Sequence, residues 1–460
     1  MRSDLVVFVP GIMGSKLTRS GRDVWALSMS ALGSPKANLR SLALPDGIRD
    51  DHPEGPHALV PAGPLREPQV WPGFVSHLAY RDFLDRLESD LGNRLAVFPY
   101  DWRLSNRLSA RRLKAFVEDR LSKYREDVAA TSPGAEEPRV IFICHSMGGL
   151  VTRYYLEVEG GREVAATLVT IGTPYQGAAK AVRVLTGNLP WWVPTRLAEG
   201  LAEIALTFPA AAQLLPVYRA VRTPEGDLAR LDSVSVPDLP SAAVSDAFAF
   251  HTELRKAQET NEAADRASGR SRPYEVIAIA GGGKHPTDHG LSMSAEKITF
   301  HSSLDDLRGW TGDGTVPGIS ATPREFEHTG RTMWHAHRHT ALPNEKPVLR
   351  QLSNVYNAIP LAEYLAEDDL FGVEVPDFGV VGEPLTITVT ADDPRLRFSA
   401  SLRSAGSAPV TTTRLLPDGS GVWRGTLDAA PGLWTIEVAC DRLRTVHRDA
   451  VLVVDIDSAQ

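Results

Sequence analysis

The sequence predicts an α/β protein built on a mostly parallel, doubly wound sheet, followed by a smaller antiparallel β-sandwich of immunoglobulin-like type. Three observations carry this. Continuous apolar runs alternate with helical patterns through the first three quarters of the chain, as strands buried on both faces do. That rhythm stops between residues 177 and 271, where Ala- and Leu-rich helical sequence takes over. After about residue 372 the chain turns into short alternating runs parted by turn residues.

In order, the run LVVFV (5–9) reads as the first strand and YRDFLDRLESDL (80–91) as a helix. RLAVFPY (94–100) is the next strand, and SARRLKAFVEDRLSKYRED (109–127) is a helix with Leu113, Phe116, Val117, Leu121 and Tyr124 on one face. RVIFIC (139–144), ATLVTIG (166–172) and YEVIAIAG (274–281) continue the sheet, with a helix over MGGLVTRYYLEV after the first of them. Within 177–271, Leu197, Leu201, Ile204 and Phe208 share one helical face while Glu199, Glu203 and Thr207 lie off it, so this insertion is expected to cap the carboxyl edge of the sheet. A helix in EKPVLRQLSNVYNAI (345–359) ends a first domain of 1–365, LAEDDLFGVEVPD reads as linker, and 372–460 is the sandwich. Its strands are expected in PLTITVTAD, RLRFSASLRS, GVWRGTLD, LWTIEVAC and AVLVVDI.

Composition excludes several classes of function. The 460 residues are 43% hydrophobic and 23% charged with a net charge of -8, and the 49 Lys and Arg are scattered, so the basic patch that nucleic acid requires is missing. Two cysteines, Cys144 and Cys440, fall in segments expected to lie in different cores, which argues against a disulfide framework or a cysteine metal site. MRSDLVVFVPG lacks the pattern of a secretory signal, and no apolar run reaches the roughly 18 residues that span a bilayer, so a cytoplasmic protein is expected. Trp191, Trp192 and the amphipathic cap helix leave room for transient membrane contact, although the polar face of that helix is acidic.

The chemistry centres on ICHSMGG (143–149), a strand-to-helix turn with a serine at its apex. Such an elbow needs small residues two positions either side of the nucleophile, here Cys144 and Gly148. A thiol ending a buried strand should be inert, so Ser146 is favoured over Cys144 as nucleophile. FVPGIMGSKL (8–17) ends the first strand in a Pro-Gly turn that can aim backbone amides above the sheet. FPYDWRLS (98–105) and TIGTPYQG (170–177) end other strands, GDGTVP (312–317) sets an Asp in a tight turn, and WHAHRHTALPN (334–344) follows.

Together these pieces resemble the lecithin:cholesterol acyltransferase and lysosomal phospholipase family of α/β-hydrolases, its bacterial members included, over about residues 5–360. The resemblance implies Ser146 as nucleophile, Asp313 as the acid, the amides of Met13 and Met147 as the oxyanion hole, and Trp25, Asp101, Trp102 and Arg103 near the acyl pocket. Among His328, His335, His337 and His339, the family's base stands just ahead of the last helix, which favours His339 with His337 as fallback. The alternation in HAHRH would also set three imidazoles on one side of an extended segment, but no carboxylate or thiol is spaced to complete a metal site, and neither metal nor cofactor is expected. Two departures stand out: Cys144 replaces the usual glycine, and the cysteines of the family's lid disulfide are missing.

The activity implied is cleavage or transfer of the acyl group of a lipid ester through an acyl-enzyme, of phospholipase A or acyltransferase type. A carboxylesterase of non-lipid substrates, a partner-activated effector lipase, or an inactive binding module with a protein partner at the sandwich are the alternatives.

Overall fold

Apolar runs without a polar face must be covered on both sides. The computed structural model, which describes residues 4–25, 41–45, 55, 58–66, 80–189, 195–283, 285–294, 297–303, 312–327, 329–357, 371–376, 378–391, 393–403, 409–419, 421–441 and 446–454, shows how this is done. Six strands form the central sheet: β1 (Leu5–Val9), β2 (Leu95–Val97), β3 (Val140–His145), β4 (Ala165–Ile171), β5 (Glu275–Gly281) and β6 (Met333–His335). Their order is β6-β5-β4-β3-β1-β2, and every neighbouring pair is parallel. Leu5, Val7 and Val9 of β1 join Val140, Phe142 and Cys144 of β3 in one core, while Val6, Phe8, Ile141 and Ile143 join a second. Helices Asn106–Thr131 and Met147–Glu157 cover the first face, and helices Arg81–Leu91 and Lys346–Tyr356 cover the other.

From β1 the chain goes to β2 on one side, then crosses to β3 on the other and continues outward to β6. The connections from β1 and β3 therefore run to opposite sides of the sheet, which makes the carboxyl ends of this pair the topological switch point, where such sheets bind ligands. The register pairs Val9 with Cys144, so the Pro10 loop and the turn at Ser146 leave the sheet side by side.

The insertion between β4 and β5 is mostly helical, with helices Ala179–Leu185, Thr195–Leu206, Pro209–Ala212 and Ser241–Ala267. Leu201, Ile204 and Phe208 are buried and Glu199 and Glu203 exposed, so the apolar stripe packs inward. Trp191 and Trp192 lie outside the described residues, as do the side chain of Leu197 and all of His328. Against expectation the insertion also carries two short strands, Val221–Arg222 and Leu228–Ala229, which build a four-stranded sheet with Gly290–Met293 and Ile298–His301. Ion pairs anchor the long helix of the insertion to the central-sheet domain: Arg107 reaches Asp246 and Glu253, and Arg162 reaches Asp265.

Residues 371–454 form two facing sheets around one core that includes Phe371, Ile387, Val389, Phe398, Trp423, Ile436 and Val451. Phe371–Glu374, assigned to the linker from sequence, is a strand of the first sheet. Pairing is antiparallel except between Phe378–Val380 and Val446–Val454, which run parallel. No described helix is long and apolar enough to cross a membrane.

Candidate active site

β3 passes directly into helix Met147–Glu157, and the turn forces Ser146 to φ 52° and ψ -126°, a left-handed backbone that a serine adopts only under constraint. The constraint is visible. Ser146 N donates to Ile171 O at 2.8 Å, and Thr173 Oγ1 donates to Ser146 O at 2.9 Å. A Cβ at Gly148 would lie 2.4 Å from Val9 O and 2.5 Å from Pro10 O, so only glycine lets the helix approach the end of β1 so closely. Met147 opens the helix, where amides have no intrahelical partner and the dipole favours negative charge.

The loop after β1 folds against this turn. Met13 takes φ 63°, Gly14 N donates to Gly11 O at 3.0 Å, and Trp25 Nε1 donates to Met13 O at 3.0 Å. Tyr100 Oη donates to Pro10 O at 2.9 Å. A Cβ on Gly11 would stand 2.9 Å from Ser146 Cβ, so the loop sits hard against the serine.

Asp313 and His339 arrive from the Gly312–Pro317 turn, beyond strand Ile298–His301, and from the loop after β6. Asp313 Oδ1 accepts the amides of Thr315 at 2.9 Å and Val316 at 2.6 Å, which leaves Oδ2 for His339 Nδ1 at 2.7 Å. His339 N also donates to Asp313 O at 2.8 Å, tying the two residues through their backbones. His339 Nε2 then lies 2.8 Å from Ser146 Oγ. Ser146, His339 and Asp313, read from three distant motifs, thus form one hydrogen-bonded chain, all three buried.

The other residues singled out by sequence take varied places. Cys144 is fully buried, its thiol donates to Thr152 Oγ1 at 3.1 Å, and burial pushes its pKa up to about 12, which keeps it a neutral thiol. Asp101 and Arg103 form a buried two-pronged pair at 2.9 and 2.7 Å, and Arg103 also donates to Leu42 O at 2.8 Å. Trp102 Nε1 donates to Ser15 O, and its ring meets Trp25 edge-on at 5.4 Å. The two tryptophans make an aromatic wall beside the Met13 loop, and the Asp101–Arg103 pair holds it. His335 and His337 diverge from His339: one faces Gln351 Oε1 at 3.3 Å and the other Glu345 Oε2 at 3.1 Å.

Sequence reasoning missed Tyr80 and His145. Gly11 N donates to Tyr80 Oη at 3.0 Å, Tyr80 Oη lies 2.8 Å from His145 Nδ1, and His145 Nε2 lies 3.1 Å from His339 O. Burial, and next the nearby His339, hold His145 well below the ordinary imidazole range, so it is neutral with a single N–H. A carbonyl only accepts, so that proton sits on Nε2 and Nδ1 accepts from Tyr80, whose phenol burial likewise keeps neutral. The only sequence signal was the histidine beside Ser146, because two of the three bonds end on backbone groups.

Residues 80–254 match the family model described as lecithin:cholesterol acyltransferase. No curated protein matches the sequence. Among solved structures, the crystal structure of the Tle4–Tli4 complex is similar at 17% identity and a TM-score of 0.50, over 79% of this chain and 100% of that one. Bacillus licheniformis lipase BlEst2 in mature form is 13% identical over 76% of this chain and 91% of its own, with a TM-score of 0.32, too loose an overlap to argue from. The parallel sheet and the first of these neighbours show an α/β-hydrolase fold, within which residues 80–254 are similar to the lecithin:cholesterol acyltransferase family.

Proposed function

We propose that this chain is a serine hydrolase that cleaves or transfers the acyl group of lipid esters, with Ser146 as nucleophile, His339 as general base and Asp313 as the acid that orients it. The observation that carries the reading is the continuous chain from Ser146 Oγ through His339 to Asp313 Oδ2 at 2.8 and 2.7 Å, with the serine held at positive φ beside the Met13 loop. The family match over 80–254 supports acyl-ester chemistry.

In this reading Ser146 Oγ attacks the ester carbonyl as its proton passes to His339 Nε2, and the oxyanion is received by the amides of Met13 and Met147. Collapse breaks the carbon–oxygen bond of the ester, and the alcohol leaves with the proton from His339. Water or a second alcohol then gives its proton to His339 and takes the acyl group from Ser146, whose oxygen recovers the proton from His339 as the bond breaks, so the same residues serve hydrolysis and transfer. The Trp25–Trp102 wall would shape the acyl pocket.

A fluorophosphonate probe tests this. Wild type should label at a single serine and Ser146→Ala should not, and wild type should release fatty acid from mixed phospholipid vesicles. Labelling that persists in Ser146→Ala, or a folded wild type that neither labels nor releases acid, would overturn it.

A further inference from the structure

Behind the loop that carries His339, the C-terminal sandwich grips the hydrolase fold with polar groups. Arg338, the residue before His339, pairs with Asp449 on strand Val446–Val454, and its Nη1 also lies 3.5 Å from Val375 O. The carboxylate is 5% exposed, so this pair is largely removed from water. His285 makes a second bridge: its Nε2 lies 3.4 Å from Ala336 O in the same loop, and its Nδ1 lies 3.3 Å from the amide of Val373 in the sandwich. The His285 segment reaches the acid as well, because Thr287 Oγ1 donates to His285 O and accepts the Gly314 amide, each at 2.9 Å. The rings of His337 and Phe371 pack on His447 at 5.3 and 4.7 Å and fill the space between the bridges.

The contacts at Arg338, His337 and Gly314 land one or two residues from His339 or Asp313, and that at Ala336 three residues from His339. A surface that served only to join two folds would have no reason to concentrate its buried polar pairs there. We propose that the C-terminal sandwich is a positioning part of the hydrolase, in which Arg338–Asp449 and His285–Val373 hold the 336–339 turn so that His339 stays in line between Asp313 and Ser146. This rests on the esterase reading above. Arg338 and Asp449 are positioning residues, since neither touches the reacting atoms. Small displacements of a base can cost up to about a hundredfold in rate, so the effect should be large and should fall on kcat.

The experiment uses the full chain, a p-nitrophenyl acyl ester and the rate of fluorophosphonate labelling, with melting temperature measured for each variant. Asp449→Asn should lower kcat and the labelling rate about tenfold or more while KM stays within about twofold. Asp449→Glu should recover most of the loss, and the swapped pair Arg338→Asp with Asp449→Arg should exceed either single change. Glu437→Gln, which breaks exposed pairs to Arg403 and Arg448 on the same sheet, should leave both rates unchanged. If Asp449→Asn melts below the assay temperature, Arg338→Lys is read in its place, since it keeps the charge and loses the planar fork. A folded Asp449→Asn with wild-type kcat and labelling overturns the proposal, as does a Glu437→Gln that loses as much. A wild type that takes no probe overturns the esterase reading and this inference with it, so the two failures are told apart in the first arm.

Discussion

Cys144 occupies a position where a glycine was expected, and its environment explains why the substitution is tolerated. The thiol points into the core beneath the helix that follows and is held neutral by burial. Cys144→Ala should therefore keep kcat within about twofold and cost on the order of 1 kcal/mol of stability, as loss of a small buried group does. Iodoacetamide at pH 8 should leave folded protein unmodified at this position, as read by mass spectrometry; rapid alkylation would contradict a thiol whose pKa lies near 12. At this scale the hydrogen-bonded set of Ser146, His339 and Asp313 was legible, because each member sits in a short motif that the family resemblance singles out. Tyr80, His145 and the Arg338–Asp449 pair were not, because their partners are backbone groups or residues on another part of the chain.

The element that matters most is the junction of β3 with its helix. Gly148→Ala would drive a Cβ into two carbonyl oxygens of rigid backbone, one of which begins the Met13 loop. We expect about 1–3 kcal/mol of lost stability from this overpacking. Probe labelling should fall by more than about tenfold even in protein that remains folded, because the loop and Ser146 are pushed apart. Denaturant titration beside labelling separates the two effects. The central strands were legible because strands buried on both faces read as unbroken apolar runs. β6 was not, being three residues at the sheet edge with Trp334 partly exposed. Ser15–Arg19, Arg22–Trp25 and Val60–Pro64 were also missed, since short half-exposed strands carry little period, and the last of them pairs with a segment some forty residues away.

Across the molecule, burial depresses the pKa of His145, His251, His285, His335 and His447, to about 4 for His251 and His285. In the unfolded chain each returns to about 6.5. As pH falls below that value the unfolded state binds protons that the native state refuses, so stability is intact at neutral pH and declines through the window from about 6.5 to 4. Each such proton contributes about 1.4 kcal/mol per pH unit. Urea midpoints measured across that window should fall steeply with acidification, and a flat profile would contradict neutral burial of these rings. The same reasoning gives the Tyr80–His145 chain a mechanical meaning. With every proton direction fixed, Gly11, the end of β3 and the backbone of His339 are links of one strut, and the His145 imidazole beside Ser146 has both ring nitrogens engaged. A displacement at any one of these points therefore has to break a bond to the others, so Gly11, His145 and the His339 backbone are bound to move together or not at all.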